Sequence, residues 1–190
     1  MPVLKVADFD QTHTFPSPPP LLADAFSKTL TWLTPGGGAP FGRDKSMFYS
    51  GSSDENDIFD LHDTFAEDKK LTTQGASLKT MQKPNWTRDE VKASGFRAGY
   101  LDGTFIRFMS AAFARASTGK VYVMLPEEGM RSRNVWTEFE WPELVSHNRN
   151  AGVTHIIWVS TDMKTTKILW IPSDGAIPFP MKKPISEIGH

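Results

Sequence analysis

The chain has 190 residues, 39% of them hydrophobic, 23% charged and 12% aromatic, with a formal net charge of -1 at pH 7. That is the composition of a globular protein; it excludes a disordered or fibrous chain and leaves no long-range attraction to nucleic acid or to an anionic membrane. No cysteine is present, which excludes disulfides, thiolate zinc sites and a cysteine nucleophile together, and neither metal nor cofactor is expected. The apolar runs, such as Val121 to Leu125, are too short to span a bilayer, and no basic start leads into an apolar stretch. The expected location is cytoplasmic, or that of a toxin domain secreted or delivered by other means, with no signal peptide or transmembrane segment in this chain.

Residues 1–20 are polar and end in Pro16, Pro18, Pro19 and Pro20, which predicts an extended arm because proline lacks the donor a helix needs. From Leu21 to Leu33 the residues Leu22, Ala25, Phe26, Leu30 and Leu33 recur at helical spacing, and Pro35-Gly36-Gly37-Gly38 ends that helix. Between Met47 and Lys83 the helical pattern is weaker. Ile58, Leu61, Phe65 and Ala66 share one face, and the acids Asp54, Glu55, Asp57, Asp60 and Asp63 read as an exposed helix start. Leu101 to Ser117 predicts the strongest helix, capped by Gly119 in the left-handed conformation.

Three β-branched or aromatic runs follow: Val121–Leu125, His155–Val159 and Lys167–Ile171, with a helical stretch around Leu144 to Asn150 between the first two. The tail from Pro172 to His190 reads as irregular and surface-wrapping. The expected fold is therefore α/β: a helical N-terminal half packed against a small, mainly parallel C-terminal sheet with flanking helices. Residues 21–190 form a single domain with a helical lobe over about 21–118 and an α/β lobe over about 119–190.

Three segments carry polar groups suited to chemistry. Phe48-Tyr49-Ser50-Gly51 offers a ring face beside a hydroxyl and backbone N–H groups that can hold a phosphate. On the Leu101–Ser117 helix, Phe108 and Phe113 read as core, while Phe105 and Ser110 are read as lying away from the Met109 stripe, toward a cleft. Val135 to Leu144 holds Glu138 and Glu140 among Trp136, Phe139 and Trp141. In an extended segment those two carboxylates point the same way, and a carboxylate in so poorly hydrated a place stabilises a sugar cation strongly.

In this order the segments resemble the ADP-ribosyl cyclase family, which includes animal NAD glycohydrolase and cyclase ectoenzymes and domains of microbial toxins. The resemblance covers roughly Met47 to Val159 and is most specific from Ser110 through Leu125 and over Val135 to Leu144. It implies a cyclase-like fold and cleavage of NAD at the nicotinamide–ribose bond, with Glu140 as the catalytic carboxylate. Trp136 matches an aromatic four residues before that glutamate. Tyr49 stands where the family has its first tryptophan; the second falls at Phe105 or Ile106, and Phe105 is taken because an aromatic can stack on nicotinamide. Thr72-Thr73-Gln74 is the nearest match to the family's Thr-Leu-Glu element, so Gln74 replaces a carboxylate facing the nicotinamide amide. Ser50, Gly51, Ser110, Trp136, Thr137 and Glu138 complete the implied binding set.

Hydrolysis to ADP-ribose is favoured over cyclisation, with NAD or NADP as substrate, and a toxin of this kind would be paired with an immunity or inhibitor protein. Two other readings stand beside it. Glu138 and Glu140 form a Glu-x-Glu pair like that of ADP-ribosyltransferases acting on arginine, and a non-catalytic NAD-binding or interaction domain would share the same residues.

Overall fold

The computed structural model describes residues 20–34, 42–50, 55–81, 87–95, 97–146 and 150–190. The predicted proline-rich arm, apart from its last residue, and Gly51 lie outside them.

The chain is α/β. Helix α1 (Pro20–Leu33) is followed by strand β1 (Ser46–Tyr49), α2 (Glu55–Asp68), β2 (Thr72–Thr73), α3 (Gln74–Met81), α4 (Arg88–Ser94) and α5 (Ala98–Ala116). Then come β3 (Gly119–Met124), a π-helical turn (Trp136–Glu140), α6 (Trp141–Val145), β4 (Val153–Val159) and β5 (Thr166–Trp170). The five strands form one sheet in the order β2-β1-β3-β4-β5. The first four run parallel and β5 is antiparallel to β4.

The periodic segments fold as their spacing predicts. On α1, Leu22, Phe26, Leu30 and Leu33 are buried and face α5, where the Phe26 ring stacks 3.8 Å from that of Phe108. Along β1 the side chains alternate, as a strand requires. Phe48 enters the main core with Phe113 and Trp136, while Met47 joins a second cluster with Phe65, Ala66, Met124 and Val159 beneath α2.

Two strands, β1 and β2, lie in the half read as helical, and both belong to the same sheet as the C-terminal strands. At four and two residues they are too short to show a period-2 pattern. Gly119 does take a left-handed backbone, φ 75°, but it opens β3; α5 is closed by Ser117 in an extended conformation. The segment from Val135, whose two carboxylates would share a face only if it were extended, is helical throughout, first as a π turn and then as α6.

This topology singles out one end of the sheet. The chain leaves β1 through α2 on the Met47 face and returns as β2 on one side of β1. It then crosses through α3, α4 and α5, with α5 on the Phe48 face, to become β3 on the other side. Connections that diverge to opposite faces leave a crevice at the carboxyl ends of the two strands between them, the usual place for a ligand in such sheets. Here those strands are β1 and β3, ending in Tyr49-Ser50 and in the loop that carries the π turn.

Candidate active site

At the end of β1, the Ser50 N–H donates to the Met124 carbonyl at 3.1 Å, extending the ladder by one residue. The Tyr49 ring is 37% exposed and packs edge-on against Phe59 at 5.5 Å and tilted against His62 at 4.5 Å, both on α2.

Gln74 follows β2 directly and opens α3. Its amide reaches across to α5, where Nε2 donates to Ser110 Oγ at 2.7 Å and to the Ile106 carbonyl at 3.4 Å. Ser110 is fully buried, and its hydroxyl favours the charged form of the Glu140 carboxyl. Gln74 and Ser110, 36 positions apart in the chain, thus begin a polar line, and Ser110 acts in turn on the carboxyl of Glu140, 30 positions further on.

Local contacts explain the π turn. Asn134 and Thr137 bond reciprocally, Thr137 N–H to Asn134 Oδ1 at 3.1 Å and Asn134 N–H to Thr137 Oγ1 at 3.0 Å, which starts the segment. The Trp141 N–H then reaches back to the Trp136 carbonyl, five residues away. The widened ring lets both indoles enter the core, where the Trp136 ring meets those of Phe48 and Trp141, each 5.8 Å away. Pro142 follows in the first turn of α6. Single π turns of this kind are frequent at functional sites.

Helical winding also separates the two glutamates by about half a turn. Glu138 looks out to solvent, 3.9 Å from Arg133 Nη1, whereas Glu140 is 4% exposed. They do not point the same way, so the paired-carboxylate arrangement expected from an extended Glu-x-Glu is not present. Thr137 and Glu138 line a different cleft of about 570 Å3, formed with Arg133, Trp141, Ile177 and Phe179; Gln74, Ser110 and Glu140 do not line it.

Phe105 requires a second correction. It is fully buried and stacks 6.4 Å from Phe26, so it belongs to the core and not to a cleft. Phe105 and Met109 are four residues apart and share a stripe; Ile106, four before Ser110, shares the face of the polar line and is partly exposed. Spacing alone carries this signal. Trp136 is likewise fully buried, and its Nε1–H has no hydrogen-bond partner among the described residues.

Other contributors left little trace in the sequence. Ser77, one turn beyond Gln74, is fully buried with its hydroxyl unpartnered among the described residues. His62, 1% exposed, is held neutral because burial lowers its affinity for a proton more than the neighbouring Asp63 raises it. On α6, Glu143 pairs with Arg115 of α5 at 2.7 Å, and both are buried. Among the described residues no group of His, Asp or Glu could hold a metal, and no helix is long and apolar enough to cross a membrane.

Burial pushes the Glu140 carboxyl up to about 8, against a smaller lowering by the Ser110 hydrogen bond. The folded protein then keeps a proton that the unfolded chain, near 4.5, has released across the interval between those values. Stability contributed by the neutral carboxyl is complete below pH 4.5 and is lost as pH rises toward 8, at about 1.4 kcal/mol per pH unit and on the order of 5 kcal/mol in all. Glu140→Gln, which mimics the neutral acid at every pH, is expected to match the parent near pH 4.5 and to exceed it by a few kcal/mol near pH 8. Urea midpoints at the two pH values check this; equal midpoints at pH 8 would contradict it.

Comparison with protein-family models and with curated protein sequences finds no match. Among solved structures the chain is similar to Aplysia cyclase complexed with substrate NGD and product cGDPR, with a TM-score of 0.46, 16% identity, and coverage of 81% of this chain and 71% of that one. It is similar to ADP ribosyl cyclase complexed with N1-cIDPR, with a TM-score of 0.45, 16% identity and the same coverages of 81% and 71%. It is also similar to CD38, with a TM-score of 0.44, 18% identity, and coverage of 80% of this chain and 72% of that one.

Proposed function

We propose that this chain hydrolyses NAD at the nicotinamide–ribose bond. The observation that carries the reading is Glu140, a carboxyl buried on a π turn whose charged form Ser110 favours, in a segment whose residues resemble the glutamate loop of the ADP-ribosyl cyclases. Cleavage of the C1′–N bond sends the electron pair to nicotinamide, which leaves neutral, and leaves an oxocarbenium-like ribose. A fixed carboxylate in a low-dielectric site stabilises that cation far better than water does, because it needs no reorganisation as the charge develops. Water then bonds to C1′ and yields its proton to Glu140, giving ADP-ribose.

The other roles follow from position. Tyr49, exposed at the carboxyl end of β1, supplies a ring to the departing base, and Ser50 offers a hydroxyl to ribose or phosphate. Ile106 takes the place beside Ser110 that had been assigned to Phe105. An aliphatic side chain there grips folded-back adenine less firmly than a ring would, which favours water as the acceptor and ADP-ribose as the main product.

Since the reacting form of Glu140 is the carboxylate and its proton is held up to about 8, kcat/KM for NAD is expected to rise with pH from 6 and to level off above about 8. A stopped assay separating nicotinamide, ADP-ribose, cyclic ADP-ribose and label on protein tests both points. Nicotinamide with ADP-ribose in equal amounts, on a rising acid limb, supports the proposal. Label transferred to protein, or a rate that falls between pH 6 and 8, would sink it.

A further inference from the structure

We propose that Phe179 is a positioning residue: seated against both indoles that close the π turn, it holds the helical register in which Glu140 is turned into the protein. A ring closed five residues apart is rare in helices and occurs as a single turn, so contacts outside it must outweigh the ordinary α register. Asn134 and Thr137 fix the start of this one. Its far end, where the Trp141 N–H meets the Trp136 carbonyl, is held from the C-terminal tail. Trp141 Nε1–H donates to the Ile177 carbonyl at 2.8 Å. Two residues on, the Phe179 ring stands edge-on to Trp141 at 5.1 Å and 86° and to Trp136 at 6.3 Å and 79°. With the two indoles 5.8 Å apart, the three rings form a closed triangle of edge-to-face pairs, an arrangement that aromatic rings prefer.

The triangle depends on the register. Closing the ring to the α spacing would rotate Trp141 about the helix axis relative to Trp136. Its indole would then leave both the Phe179 ring and the Ile177 carbonyl, and a buried N–H would lose its acceptor. Glu140 precedes Trp141 by one residue and turns with it, so what keeps Trp141 in place also keeps Glu140 buried. Phe179 can hold that place because it is itself buried and its own segment is tied down. The Lys182 N–H donates to the Met130 carbonyl at 2.9 Å and the Ile185 N–H to the Glu127 carbonyl at 2.8 Å, both in the loop that leads from β3 toward the turn. Gly129, φ 80°, lets the Lys183 carbonyl approach that loop where a Cβ would collide with it. Further on, the His190 N–H donates to the Ile168 carbonyl of β5 at 2.9 Å. The tail is therefore a strap over the π turn, fixed to the loop on one side and to the sheet on the other. The consequence for turnover rests on the NAD-cleavage reading; the consequence for the burial of Glu140 stands apart from it.

The test is a carbon-13 NMR titration of protein labelled at the glutamate side-chain carboxyl, with the Glu140 signal identified by its loss in Glu140→Gln. In Phe179→Ala the Glu140 midpoint is expected to fall by about one pH unit or more, because a loosened turn admits water to the carboxyl and hydration favours its charged form. Phe179→Leu keeps much of the apolar bulk without the ring edge; its midpoint should fall by less, and it serves where the alanine variant fails to fold. Phe65→Ala removes a ring that is also buried but lies in the second cluster, beneath α2; it should lower thermal stability and leave the midpoint unchanged. A midpoint that stays or rises in the alanine variant, or in the leucine variant standing in for it, or that falls equally in Phe65→Ala, would overturn the proposal. If the protein cleaves NAD, kcat above the acid limb should fall about tenfold or more in Phe179→Ala with KM retained, since a misplaced reacting group slows the chemical step more than it weakens binding. If it does not, the titration still decides the role of Phe179.

Discussion

Glu143→Ala is expected to cost about 3–5 kcal/mol of folding stability, the largest loss foreseen for any single side chain outside the hydrophobic core. Glu143 is fully buried and its carboxylate lies 2.7 Å from Nε of Arg115, which is itself buried. Removing the acid takes the Glu143 carboxylate away from a guanidinium charge inside the protein, and arginine cannot escape the penalty by losing its proton. For a chain of this length that is a fall in Tm of about 10 °C. Arg115→Met with Glu143→Leu should recover much of the loss, because it removes both charges together. The pair also fixes α6 to α5 three residues beyond Glu140, so the single variant should lower kcat at temperatures where it remains folded. Thermal denaturation of the three proteins checks the order; Glu143→Ala melting within 2 °C of the parent would show the pair to be dispensable.

Glu140→Gln is expected to lower kcat for NAD cleavage by about 10³-fold, equivalent to about 4 kcal/mol of transition-state stabilisation, with little change in KM. The substitution keeps size and hydrogen-bonding capacity and removes only the negative charge, which the ground state, holding a protonated carboxyl near neutral pH, uses little. Loss in kcat with KM retained is the pattern of an interaction made in the transition state. The same variant should be the more stable protein at pH 8. Activity and stability moving in opposite directions at one atom distinguishes a catalytic carboxylate from a structural one, whose loss would lower both.

The parts of this fold legible in the sequence are those where one period repeats long enough. Helices α1 and α5 show such repeats, the strands β3, β4 and β5 show unbroken β-branched or aromatic runs, and each falls within a few residues of its expected span. The burial of Glu140 was legible from its aromatic neighbours in the chain. Strands β1 and β2 were not, since their pairing with β3 and with each other is a long-range fact that a few residues cannot announce. The π turn escaped for a related reason: one widened ring in five residues leaves no periodicity, and its effect is to turn Glu138 outward and Glu140 inward. Phe105 was misplaced by weighing its aromatic character above its four-residue spacing to Met109, although spacing decides which face of a helix a residue occupies. The side-chain partner of Gln74 lies 36 residues away, beyond any local pattern.

The most direct measurement is the amount of nicotinamide released from millimolar NAD by the purified protein and by Glu140→Gln, each shown to be folded, at pH 8. If Glu140 carries the reaction, the parent releases many equivalents of nicotinamide per protein and the variant a small fraction of that rate. No release by the parent, or equal release by both, would contradict it.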